Sequence, residues 1–168
     1  MSHPVVLALF DDSAAAAAAA RRLRALGVPQ QRVSIVARSH DEEGALARAS
    51  GASPGSEIED SAAASRLGEL SGHLIAAIAL VMPGIGPIVA DGPLAAGLGE
   101  AAGHLAGGIG RTLEAAGLSG EDAAHWASRI HAGAFLVGAH VDSAGTDAAR
   151  QAFNEAGADA VVVGTWSD

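Results

Sequence analysis

The stretch FDDSAAAAAAARRLRALG, residues 10–27, returns as HVDSAGTDAARQAFNEAG at residues 140–157, and this pair decides the fold. A shift of 130 residues lays Asp12 on Asp142, Ser13 on Ser143, Leu23 on Phe153 and Gly27 on Gly157 without a gap. The other identities are mainly alanine, so the match rests on physical roles. Asp12-Ser13 and Asp142-Ser143 offer N-cap oxygens, with negative charge where a helix dipole favours it. Ala16, Ala19, Leu23 and Leu26 share one face of a helix predicted from about Ala14 to Leu26. Ala149, Ala152, Phe153 and Ala156 do the same for a helix predicted over Ala144 to Ala156. Gly27 and Gly157 then stand where a helix takes a left-handed stop.

Working outward, Val5 to Phe10 and Val33 to Ala37 are short apolar runs that read as strands flanking the first helix. Phe135 to Val141 and Ala160 to Val163 flank the second in the same way. Two β-α-β units in one small chain predict an α+β fold, a split β-α-β, ferredoxin-like four-stranded antiparallel sheet with both helices on one face. Residues 1–38 and 132–168 would form that domain, 39–61 a linker rich in Ser, Gly, Pro and acids, and 62–131 a glycine-rich helical insertion.

Within the insertion the pattern predicts a helix over Arg66 to Met82 and a stiff turn at Pro83-Gly84-Ile85-Gly86-Pro87. A second helix is expected from Pro93, a good first helical residue, towards Ala116. A third is expected from the capping-box spacing of Ser119 and Asp122 to about His131, with Gly133 as its stop. Gly68, Gly72 and Ala76, and again Ala95, Gly99, Gly103 and Gly107, recur every four residues. A glycine costs about 1 kcal/mol inside a helix relative to alanine, so such a run asks for a reason. Two grooves without side chains let helix backbones approach closely and gain dispersion contacts. Gly68, Gly72, Gly99, Gly103 and Gly107, with Pro83, Gly84, Gly86 and Pro87 at the turn, are therefore the candidate helix-packing and self-assembly residues.

Leu74 to Ala90 is apolar for seventeen residues, at the lower limit for a membrane span. Pro83, Gly84, Gly86 and Pro87 interrupt it, and no Arg lies between Arg66 and Arg111 to flank it. Packing against its own domain or against copies of itself is the favoured expectation, and reversible membrane insertion the alternative. The start of the chain, Met1-Ser2-His3-Pro4, lacks the basic and long apolar segments of a signal peptide, which makes the expected location cytoplasmic, or peripheral to a membrane.

Composition narrows the chemistry. Nineteen acids against ten basic residues, all Arg, give a net charge of −9, with three Phe, two Trp and no Tyr. Nucleic-acid binding needs a basic surface and, for single strands, aromatic platforms, so no nucleic-acid partner is expected. The absence of Cys removes thiolate ligands and nucleophiles, and the absence of Lys removes Schiff-base chemistry and the lysine of a phosphate loop. Gly84-Ile85-Gly86 has no Gly at position 89, so it reads as a turn and not as a dinucleotide fingerprint. Of the seven His, none forms an i, i+4 pair with another. His73 and His104, with Glu100 nearby, are the weak candidates for a metal or small-ligand site, and a hydrogen-bonded pair is the simpler reading. His140 lies at a strand end and reads as structural. No cofactor and no catalytic constellation are expected.

The stretches Leu67-Gly68-Glu69-Leu70-Ser71-Gly72-His73, Val81-Met82-Pro83-Gly84-Ile85-Gly86-Pro87 and Gly92-Pro93-Leu94-Ala95 together resemble the bacterial general stress protein family of the heat-induced kind. Ala124-His125-Trp126 and Gly133-Ala134-Phe135-Leu136-Val137 fit the same pattern, with Trp126 where usual members often carry Tyr. The resemblance covers Val5 to Gly164 and implies a stress-induced protein with no catalytic residues to carry over. The expected function is accordingly a non-enzymatic protein that self-assembles through its glycine stripes, with sheet-edge pairing as a second route. A homo-oligomer is the expected partner state.

Overall fold

The computed structural model describes residues 2–38, 56–57, 78–82, 86–94, 98 and 108–167. The first unit is β1 (Ser2–Phe10), α1 (Ser13–Ala25), a single 3-10 turn and β2 (Val33–Arg38). The second is β6 (Phe135–His140), α4 (Thr146–Glu155) and β7 (Ala160–Ser167). Between them lie β3 (Ser56–Glu57), β4 (Ile78–Met82), β5 (Gly86–Asp91), α2 (Gly108–Ala115) and α3 (Gly120–His131).

The four strands from the chain ends stand in the order β2-β6-β1-β7, all antiparallel, which is the split β-α-β arrangement. The sheet does not stop there. β5 pairs with β2 through Ile35↔Asp91 to Arg38↔Ile88, β4 pairs with β5, and β3 closes the far edge of a seven-stranded sheet.

This corrects the end of the helix expected over Arg66 to Met82, because residues 78–82 are a strand, and Gly86 and Pro87 open the next one, while 66–77 lie outside the described residues. An unbroken apolar run carries no period to separate helix from strand. The deciding features were the short arms of five and six residues, the β-branched Ile78, Val81, Ile88 and Val89, and the Pro-Gly signal between them. The insertion is thus partly β, and the expected 39–61 linker contributes β3. Pro83, Gly84, Gly68, Gly72, Gly99, Gly103 and Gly107 lie outside the described residues.

The end units form as their caps dictate, with one difference. Asp12 accepts the Ala15 amide at 2.9 Å and starts α1. Ser119 accepts the Asp122 amide at 3.1 Å and starts α3. Asp142 instead accepts the Gly145 amide at 2.8 Å, closing a turn, so α4 begins two residues later than expected, at Thr146. Gly27 and Gly157 take φ of 83° and 88° and end the two matching helices. Leu26, expected inward, is the residue that closes the end of α1, and it is 52% exposed. Pro93, Leu94 and Leu98 are helical, in line with the onset expected at Pro93.

Both faces of the β2-β6-β1-β7 part of the sheet are covered, which the expected two-layer arrangement did not include. On one face Val6, Ala8 and Phe10 of β1 pack under α1 and α4, where Phe10 and Phe153 meet edge-on at 6.0 Å. On the other, Val5, Leu7 and Leu9 pack under Leu94, Leu98, α2 and α3, with Trp126 and Ile130 at the contact. A strand buried on both sides reads as an unbroken apolar run, and Val5 to Phe10 is one, at 0% exposure throughout. Alanine and glycine let the helices sit close to the strands, so few large side chains are needed.

Ion pairs join neighbouring elements at the surface. Arg22 of α1 meets Glu155 of α4 at 2.7 Å. Arg129 of α3 reaches Asp159, just before β7, at 2.7 Å, and also Asp11, just after β1. Hydrogen bonds to Asp159 first and Asp11 second hold the guanidinium pKa above its ordinary value.

Candidate functional site

Ser34 sits in the middle of β2, in the run Val-Ser-Ile-Val-Ala. Strand alternation sends Val33 and Ile35 to the α1/α4 face and Ser34 to the other. The same alternation puts Gly138 and His140 of β6, His3 of β1 and Trp166 of β7 on the Ser34 side. Gly138 faces Ser34 directly in register, and His3 faces Trp166.

These side chains make a continuous polar relay. His140 Nε2 lies 3.0 Å from Ser34 Oγ, and His140 Nδ1 lies 3.0 Å from His3 Nε2. Ser34 Oγ also accepts the backbone N–H of Leu94 at 3.1 Å. The Trp166 ring stands edge-on to His140 at 5.7 Å. Ser34 and His140 are 0% and 1% exposed, whereas His3 is half-buried, so the relay runs from the surface into the sheet–helix interface. Leu94 lies in the first turn of the helix begun at Pro93, whose amides have no partner inside the helix. Ser34 satisfies one of them from another element.

Each link of the relay holds one proton. In the neutral state either Ser34 donates to His140 and His140 to His3, or both donations run the other way.

A serine hydrogen-bonded to a histidine is also the start of a nucleophile–base pair. A reacting carbonyl would need a place about 3 Å from the hydroxyl. That place is filled. Gly92, at φ 81°, lies so close that an added Cβ would stand 2.9 Å from Ser34 Oγ, 2.7 Å from Ser34 Cα and 2.2 Å from the Val33 carbonyl oxygen. Only a glycine fits there. What the relay does visibly is tie β1, β2, β6 and the helix onset at Pro93 together. Ser34→Ala would remove the acceptor of the buried Leu94 amide and the Ser34–His140 hydrogen bond, and an unpaired buried group costs about 1–3 kcal/mol. A loss of about 2 kcal/mol in chemical denaturation is expected.

Of the residues singled out from sequence, His140 alone belongs to this cluster, and it was read there as structural. His3 and Ser34 were missed. The available signal was a hydroxyl inside a wholly apolar strand, which demands a buried partner. His73, Glu100 and His104 lie outside the described residues, and among the described residues no group of three or more His, Asp or Glu side chains could hold a metal. Among the described residues, too, no helix is long and apolar enough to cross a membrane. No protein-family model, no curated protein and no solved structure matches the chain.

Proposed function

We propose that this is a non-enzymatic, stress-associated protein that works by assembling with copies of itself. The observation that carries the reading is the state of the sheet's surfaces. Both faces of its β2-β6-β1-β7 part are covered by the chain's own helices, while β7, an edge strand among the described residues, is an uncharged, largely apolar ribbon with Val163 44% exposed. An edge of that kind is a template for another chain. The sealed Ser34 hydroxyl supports the non-enzymatic half of the reading, and the resemblance to bacterial stress proteins supports the cellular setting. Reversible membrane insertion is the weaker reading, because residues 78–82 and 86–90 of the apolar run are committed to the sheet.

The small-residue stripe Ala95, Gly99, Gly103 and Gly107 is the second seam of the proposal. Replacing Gly103 with Leu is expected to lower the assembled mass or the melting temperature. An unchanged mass together with an unchanged melting temperature would remove the stripe from the assembly.

A further inference from the structure

Natural sheets blunt their edges with charge, proline, bulges or short strands. Among the described residues one edge follows that rule, since β3 is two residues long. The other does not. Ala160-Val161-Val162-Val163-Gly164-Thr165-Trp166 holds neither a charge nor a proline, and β7 pairs with β1 from Ser2↔Ser167 to Leu9↔Ala160 without a bulge.

The direction of each backbone group on β7 follows from two contacts. Thr165 lies opposite Pro4, and its N–H leaves the ladder to donate to the Ala116 carbonyl at 3.1 Å. Successive residues of an antiparallel strand point their N–H and C=O to opposite sides. Val161 and Val163 share the phase of Thr165, so their backbone groups also point away from β1, while those of Val162 point into the ladder. The corner after α2 closes the strand beyond this point, because a Cβ on Gly164 would stand 1.8 Å from the Ala116 oxygen. The open window is Ala160 to Val163.

We propose that β7 of a second copy pairs antiparallel with this window, across a two-fold axis through Val162, so that two sheets join edge to edge. Register decides the geometry. Pairing Val161 with Val163 of the partner, and the reverse, uses both outward residues of each copy and makes four backbone hydrogen bonds. Centring on Val161 would require Asp159, whose amide already donates to Leu9, and centring on Val163 would require Thr165, whose amide is taken by Ala116. The two-fold keeps like faces together, so the helical layers of both copies align and valine packs on valine across the seam. Each chain carries a net charge of −9, and two copies meet with least repulsion along a segment that has no charge of its own. A ribbon of this length is small beside the roughly 1,200–2,000 Å² of a stable interface. The seam therefore rests on the self-assembly reading, as one contact among those that hold the copies together, and it strengthens as salt screens the repulsion.

The test exploits the absence of cysteine. Directly opposed residues that do not exchange backbone hydrogen bonds have Cα atoms about 4.5 Å apart, within disulfide range. Val162→Cys should then form a disulfide-linked dimer under mild oxidation in several-fold excess over Val163→Cys, whose side chain would face Val161 of the partner and not its own counterpart. In the unmodified protein, hydrogen exchange should show the Val161 and Val163 amides protected at high concentration and released on dilution, with Val162 protected throughout. Equal crosslinking of the two variants, or unprotected Val161 and Val163 amides in a protein that is nonetheless oligomeric, would overturn the edge seam and leave the assembly reading standing. A chain that stays monomeric at every concentration would overturn both.

Discussion

Gly92→Ala should be among the most damaging single-methyl changes in the described part of the chain, because it combines backbone clashes with a positive φ. The new Cβ would meet the Val33 carbonyl oxygen at 2.2 Å and the Ser34 Cα at 2.7 Å, and both are backbone. No rotamer change relieves such contacts, so the strand or the Gly92 turn must move. The backbone also sits at φ 81°, which costs a residue with a side chain about 1–2 kcal/mol more than glycine. Overpacking adds about 1–3 kcal/mol. A total loss of roughly 2–5 kcal/mol is expected in denaturant unfolding. The damage should also be local in kind. Moving residue 92 pulls Leu94 off Ser34, so the Leu94 amide should lose its hydrogen-exchange protection, while the amides of α1 keep theirs relative to global stability. A Gly92→Ala protein with native stability would mean that the insertion does not lie against β2 as described.

Phe153→Ala should cost about 3–5 kcal/mol, the usual range for emptying a buried aromatic site. The reason is composition. Apart from Phe10, Leu23 and the partly buried Phe135, the layer between the sheet and α1/α4 is made of alanines and β-branched residues that cannot swing inward to refill the space. Phe153 is 0% exposed, and its edge-on contact with Phe10 at 6.0 Å is lost as well. Phe153→Leu keeps most of the volume and should cost less than half as much. It also places at residue 153 the side chain that Leu23 carries at the matching position of α1, so it tests the internal repeat directly. A small effect of Phe153→Ala would show that α4 packs more loosely on the sheet than this arrangement allows.

The ends of the chain were legible because local and global signals agree there. Asp12, Leu23 and Gly27 cap, bury and stop one helix, and Ala149, Phe153 and Gly157 bury and stop its counterpart. When propensity, pattern and caps point to one answer, a single sequence suffices. The insertion was harder to read. Its apolar run from Leu74 to Ala90 has no polar residue to set a period, so β4 and β5 passed for the end of a helix and its turn. The unbroken burial of Val5 to Phe10 did hint at a second covering layer, yet which segment supplies that layer depends on contacts distant in sequence, such as Leu94 and Trp126 on β1. Ser34 and His140 lie 106 residues apart and gain meaning only once β2 and β6 are neighbours. Spacing along the chain carries no trace of that.

Assembly is the claim on which the functional account stands, and absolute mass in solution by light scattering, with and without mild detergent, tests it most directly. The account predicts a discrete multimer whose mass detergent leaves unchanged. A monomer at all concentrations, or a heterogeneous aggregate that becomes small and uniform only in detergent, would contradict it.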